Sequence, residues 1–242
     1  MPSPLTDDSD SDEDRRPSVE ASAQIGLSAF DYPSRSFPPY VQIHPGFPLF
    51  YRRFPVSSFQ TTRYVSCHRI SESLTVLFRD STKISGATFN EPRFPLDLYT
   101  PRFVKGTGRE KVGLCPICVE PEDRGGQNKK LWLSTKFSAF NYHMQYSHGI
   151  SAFSAAPFSP PMVFRTKPRN QITKHERSQI TEGKCHKCSK WIPLETIKDA
   201  DVKVKEIFWW KHAATCHHGS TIEGERDIFV EDNFYQEIVQ NS

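Results

Sequence analysis

The chain has 242 residues, of which 36% are apolar and 19 are proline, with a mean hydropathy of −0.58 and a net charge of +3. That balance excludes one large hydrophobic core, and no apolar run is long enough to cross a bilayer. It predicts a chain that combines disorder with small modules held by something other than apolar burial.

Residues 1–24 form an acidic arm around Asp7, Asp8, Asp10, Asp12, Glu13 and Asp14. Residues 1–20 hold seven acids against two arginines, a net of −5. Such a run cannot bury itself and is expected to be disordered. Acidic and serine-rich, it does not read as a secretory leader, which predicts an intracellular protein. In that setting Cys-x2-Cys pairs favour metal over disulfide. Ser9 and Ser11 have acids three positions on, and Ser18 follows Arg15 and Arg16, so all three are expected phosphorylation sites.

Residues 25–95 are rich in Phe, Pro and Arg, and the prolines break regular elements. This segment is expected to be mostly disordered, apart from a short element over Ser73–Arg79. Three readings of its aromatic residues stand side by side: docking on the folded part, recruitment of a partner, or no more than a sticky linker. Cys67 is the odd cysteine and is read as a bystander.

Order is expected from near Leu98. Residues 96–153 form a first module, with Cys115, Cys118, His143 and His148 spaced C-x2-C-x24-H-x4-H. Residues 154–182 read as a linker, Pro-rich at first and then basic. Residues 183–218 form a second module, with Cys185, Cys188, His212 and Cys216 spaced C-x2-C-x23-H-x3-C. Residues 219–242 are an acidic tail in which Ile228, Val230, Phe234 and Ile238 suggest a short amphipathic helix.

A Cys-x2-Cys turn brings two thiolates to one ion, and a structural zinc takes a closed tetrahedron of thiolate and imidazole. The second ligand pair belongs on a helix. His212 and Cys216, four residues apart, lie about 40° apart on one face. His143 and His148 are five apart, so that helix must stop near His148, with Gly149 as its terminal residue. Either Cys216 or His217 completes the second set; Cys216 has the better helical spacing and a thiolate, whereas His217 matches His148 in the repeat. His186 points away from the ion. Gly113 and Gly183 suit the bend before each turn. Trp132, Trp191, Phe140, Tyr142, Trp209 and Trp210 are expected to cover the metal. The predicted fold is therefore a pair of small α+β zinc-stabilised modules, two zinc-knuckle-plus-helix repeats, behind a disordered N-terminal region, with two structural zinc ions as cofactors.

Several strings then become recognisable in order: Tyr99-Thr100-Pro101-Arg102, Lys105-Gly106-Thr107-Gly108-Arg109, Gly113-Leu114-Cys115-Pro116-Ile117-Cys118, Tyr142-His143-Met144, His148-Gly149-Ile150-Ser151, Cys185-His186-Lys187-Cys188, Lys190-Trp191 and Trp209-Trp210-Lys211-His212. Over about residues 95–218 the chain resembles the C-terminal zinc domain of fungal transcription regulators, the family named for the regulator of ustilagic acid biosynthesis. The resemblance implies a nuclear, zinc-binding, DNA-binding regulator of transcription.

Charge agrees with that direction. Residues 101–217 hold twenty Lys/Arg against ten Asp/Glu, a net of +10, which favours a polyanionic partner, here double-stranded DNA. Arg102, Lys105, Arg109, Lys111, Lys136, Arg165, Lys167 and Arg169 are the expected phosphate contacts. Asn141 and Gln145 share a helix face away from His143, and their amides suit adenine in the major groove. The alternative is a zinc-stabilised protein-interaction module, a transcriptional co-regulator without its own DNA site. Enzyme chemistry is not expected: both sets offer four soft ligands with no open position, and the H-x-E signature of nucleobase deaminases is absent.

Overall fold

The computed structural model of the protein describes residues 34–56, 84, 86–200 and 202–240. Ser9, Ser11 and Ser18, Cys67, and the Ser73–Arg79 element lie outside the described residues. Among the described residues, no helix is long and apolar enough to cross a membrane.

Mixed sheets and helices fall into two groups. The first is an antiparallel sheet of β1 (Thr88–Phe89), β2 (Phe103–Lys105), β3 (Val112–Leu114) and β4 (Trp132–Ser134), in that order, followed by helix α1 (Ala139–Ser147). The second is an antiparallel sheet of β5 (Phe164–Pro168), β6 (Gln179–Lys184) and β7 (Trp191–Pro193), followed by α2 (Ile207–Cys216). A last helix, α3 (Asn233–Gln240), ends the described chain.

Both groups run strand, Cys-x2-Cys turn, strand, helix, and their registers agree. Leu114 pairs with Trp132, and Lys184 pairs with Trp191. The strand entering each turn is thus closed against the tryptophan that opens the next strand. Gly113 and Gly183 sit one residue earlier, inside the strands rather than in the bend the sequence suggests. A proline ring lies over each: an added Cβ would meet Pro101 at 2.8 Å or Pro161 at 2.5 Å. Glycine is required there by close approach, not by turn conformation.

Helix α1 stops at Ser147, and Gly149 follows with φ of +68°, as the five-residue histidine spacing predicts. The Ile150 N–H closes the helix end on the Met144 carbonyl at 3.0 Å. A Cβ on Gly149 would also meet Trp210 Cε2 of α2 at 2.5 Å, so the two groups touch at this point. Gly149→Ala is expected to cost about 1–3 kcal/mol from overpacking and about 1–2 kcal/mol from the left-handed backbone, read as a lower urea midpoint. An unchanged midpoint would mean that the indole moves aside freely.

The core includes residues that the sequence assigns to a mostly disordered segment. Phe47, Phe50 and Tyr51 are buried with Trp209, Trp210, Leu194 and Phe158. The Phe50 ring meets Trp209 and Trp210 edge-on at 6.2 and 6.4 Å. Prolines do deny residues 34–56 any long element, leaving one 3-10 turn at Pro48–Tyr51. Irregular backbone still buries aromatic rings, so these side chains dock on the folded part.

The tail runs beside this segment. Phe54 and Ile228 are joined by an N–H to carbonyl bond of 2.8 Å, as are Val230 and Phe54. Phe234 and Ile238, one turn apart on α3, bury against Val56. Arg35 sits at the crossing: its guanidinium pairs with Glu225 and donates to the carbonyls of Phe50 and Phe158. Ser159 Oγ donates to the other Glu225 oxygen at 2.6 Å, and Trp209 Nε1 donates to the Ser159 carbonyl at 2.9 Å. Residues 154–182, expected as a linker, are also built in. Ala155, Phe158 and Ser159 are buried, and β5 with most of β6 occupies the basic half.

Candidate metal centres

The first centre lies between the turn after β3 and the end of α1. Cys115 Sγ is 3.3 Å from His143 Nε2 and 3.4 Å from His148 Nε2. Cys118 Sγ is 3.4 and 3.2 Å from the same two nitrogens, which are 3.0 Å apart. The turn is shaped by its own backbone: the Cys118 N–H donates to Cys115 Sγ at 3.3 Å, and the Cys115 N–H donates to the Leu131 carbonyl at 2.9 Å. Phe140, Met144 and Ile150 bury around both sulfurs. Hydrogen bonding from Cys115 and both histidines lowers the Cys118 thiol to about 3, while burial pushes Cys115 well up. A bound cation would hold both sulfurs as thiolates.

The second centre lies between the turn after β6 and α2. Cys185, Cys188, His212 and Cys216 converge, with Cys188 Sγ 3.7 Å from His212 Nε2 and Cys185 Sγ 4.0 Å from Cys216 Sγ. His217 is not a member of this set; its Nε2 lies 3.6 Å from Cys185 Sγ on another side. Tetrahedral zinc bonds of about 2.0–2.3 Å give donor separations of roughly 3.3–3.8 Å, which both sets approach closely. Their donors are soft thiolate and imidazole, unsuited to magnesium or calcium.

Not every aromatic expected at the metal is there. Phe140, Trp209 and Trp210 bury beside the cysteines. Tyr142 is 55% exposed and stacks on Tyr146. Trp132 and Trp191 lie under cations instead, with Lys105 Nζ 4.4 Å from one ring and the Arg165 guanidinium 4.2 Å from the other. The pairing repeats because each cation sits on the strand preceding the one that enters the turn.

Asp97 escaped the sequence reading. It is fully buried, and its carboxylate accepts from the backbone N–H groups of Arg93, Tyr99 and Thr100 and from Thr100 Oγ1 at 2.6 Å. Its only sequence signal is an Asp followed by Thr100-Pro101, a turn signature. Burial alone would raise its carboxyl, but the Thr100 and Arg93 hydrogen bonds and the Arg102 charge outweigh that and hold it below the ordinary range. Its stabilisation is complete above the unfolded value of about 3.9 and is lost as pH falls through the lower folded value. Asp97→Asn is expected to cost about 1.5–3 kcal/mol at pH 7, measured by denaturant unfolding. Equal midpoints for the two proteins would count against this role.

The expected nucleic-acid contacts divide. Arg102 is 1% exposed and donates to the carbonyls of Asp97 and Thr100, so it cannot reach a phosphate. Gln145 is 8% exposed and donates to Asn141 Oδ1 at 2.6 Å, and the same oxygen accepts from Tyr99 at 2.9 Å. The two amides do share a face, but it is turned to Tyr99 rather than outward. Arg165 pairs with Glu182 at 2.6 Å, and Arg169 pairs with Glu176 at 3.0 Å. Arg109, Lys111, Lys136 and Lys167 are exposed. Thr135 bonds the Lys111 carbonyl through both N–H and Oγ1 at 3.1 Å, which brings Lys111 alongside Lys136.

A family model described as transcription regulator Rua1, C-terminal, matches residues 93–217. Meiotic expression up-regulated protein 26 of Schizosaccharomyces pombe is 47% identical over 125 residues, covering 50% of this chain and 34% of its own length. Transcription regulator rua1 of Mycosarcoma maydis is 39% identical over 132 residues, covering 53% of this chain and 14% of its own length. The chain thus spans about a third or less of the curated relatives it matches. No solved structure matches.

Proposed function

The chain belongs to the family of transcription regulator Rua1, C-terminal, and from that premise we propose that it is a zinc-dependent, DNA-binding regulator of fungal transcription acting in the nucleus. The observation that carries the reading is the pair of Cys/His sets, each set between a strand turn and a helix, in a segment of net charge +10. Zinc at each set holds a knuckle-plus-helix unit, and the two units form a repeat. Four thiolate and imidazole donors at each set close a tetrahedron, so the zinc acts as a structural ion.

Arg109, Lys111, Lys136 and Lys167 carry the phosphate contacts, since each is exposed, whereas Arg102 is buried on backbone carbonyls and Arg165 and Arg169 are engaged by Glu182 and Glu176. The test is binding of the zinc-loaded protein to duplex DNA across a salt series. Affinity should fall with salt at a log–log slope of about 0.9 per neutralised phosphate. Lys111→Ala and Lys136→Ala should each flatten the slope by about 1 and weaken all sequences alike. Absent or salt-insensitive DNA binding would favour the second reading, a co-regulator that binds protein. The exposed rings of Phe137, Tyr142 and Phe153 support that second role.

A further inference from the structure

Cys185 faces two groups of donors, not one. Besides the set with Cys188, His212 and Cys216, its sulfur lies within 4.8 Å of one ring nitrogen each from His186 and His217, and those nitrogens lie within the same distance of each other. The Cys185 Sγ to His217 Nε2 distance of 3.6 Å is close to the 3.4 Å between Cys115 and His148 in the first centre. The His186 and His217 rings are 4.5 Å apart at 67°. His217 is buried, and the Nδ1 atoms of His186 and His217 are both shielded from solvent with no hydrogen-bond partner. Ser220 Oγ is 3.1 Å from His186 Nε2 and closes that side. Lys187 does not compete for the rings, because its Nζ bonds the His217 carbonyl at 3.3 Å.

We propose that Cys185, His186 and His217 hold an additional zinc ion, joined to the ion of the second centre through the shared Cys185 thiolate; this rests on the reading that the four-donor set holds zinc. A thiolate has lone pairs enough for two ions, and two imidazoles with a thiolate are a zinc-class donor set. Three protein donors leave one position for water. The additional ion is the weaker of the two, because its one anionic ligand is shared. It also fixes residues 217–220, where α2 gives way to the tail, so its loss loosens the tail's attachment.

The test loads the full chain with excess cadmium, a spectroscopic stand-in for zinc, removes unbound ion, counts metal and records the cadmium NMR spectrum. Three equivalents are expected, with two resonances split by coupling through the common sulfur. His186→Ala removes a half-buried ring outside the four-donor set, so it should fall to two equivalents and lose the splitting while remaining folded. Two equivalents with no splitting, in wild type and His186→Ala alike, would overturn the shared ion and leave His217 as a hydrogen-bond donor to the thiolate. Cys188→Ser separates this from the underlying reading: it touches only the four-donor set, and an unchanged metal count there would refute that centre itself.

Discussion

Chelation of zinc is expected to unfold both metal-centred halves together. Cys115 and Cys118 are buried in an apolar cluster with Phe140, Met144 and Ile150, and Cys185 is buried with Trp209, Trp210 and Phe50, with Cys188 partly buried against that cluster. Without metal, thiols and imidazoles meet at 3.0–3.4 Å in the first centre with no charge to balance them. A structural zinc contributes about 10–16 kcal/mol at neutral pH, against a total stability of about 5–15 kcal/mol for an ordinary domain. Loss of the ion therefore exceeds what the small sheets and clusters supply. Apart from β5 and β6, the strands are only two or three residues long, too short to persist unaided. Cys115→Ser and Cys188→Ser should each cost one metal equivalent and lower the thermal midpoint sharply. Elemental analysis with near-ultraviolet circular dichroism checks both. Retention of a cooperative transition and an unchanged midpoint after chelation would remove zinc from the account of the fold.

A fragment trimmed to residues 93–217, the stretch that matches the family, is expected to lose its cooperative transition even when zinc is supplied. It lacks Phe47, Phe50 and Tyr51, which fill the cluster around Trp209 and Trp210, and it lacks Arg35 and Glu225, which tie that cluster to the tail. Deleting one large buried aromatic costs about 3–5 kcal/mol, so three such losses reach the whole stability of a typical domain. The exposed indoles would also leave an apolar patch prone to self-association. Residues 34–240 should unfold in one urea transition, and the fragment should show a broad, noncooperative one. Phe50→Ala in the full chain gives a milder check, with an expected loss of about 3–5 kcal/mol. A fragment as stable as the longer chain would show that residues 34–56 decorate the fold rather than complete it.

That eight Cys and His side chains converge in two groups that could hold a metal was legible from spacing because it is local chemistry. Two cysteines in one turn and two donors near one helix end carry their mutual geometry in their sequence separation. The end of α1 at Gly149 followed from the same logic, since five residues cannot align two histidines on a continuing helix. The amphipathic spacing of Phe234 and Ile238 likewise placed α3. Other features depended on partners far away along the chain. Arg35 meets Glu225, 190 residues on, and Phe50 meets Trp209, so no local pattern reveals that residues 34–56 are core. Charge counting could not tell Arg102, committed to backbone carbonyls, from exposed Lys111, because a side chain's freedom is set by what packs around it. Gly113 and Gly183 looked like turn residues until Pro101 and Pro161 came to lie against them. Coordination geometry is written in short spacings, whereas burial is decided only when distant segments compete for the same space.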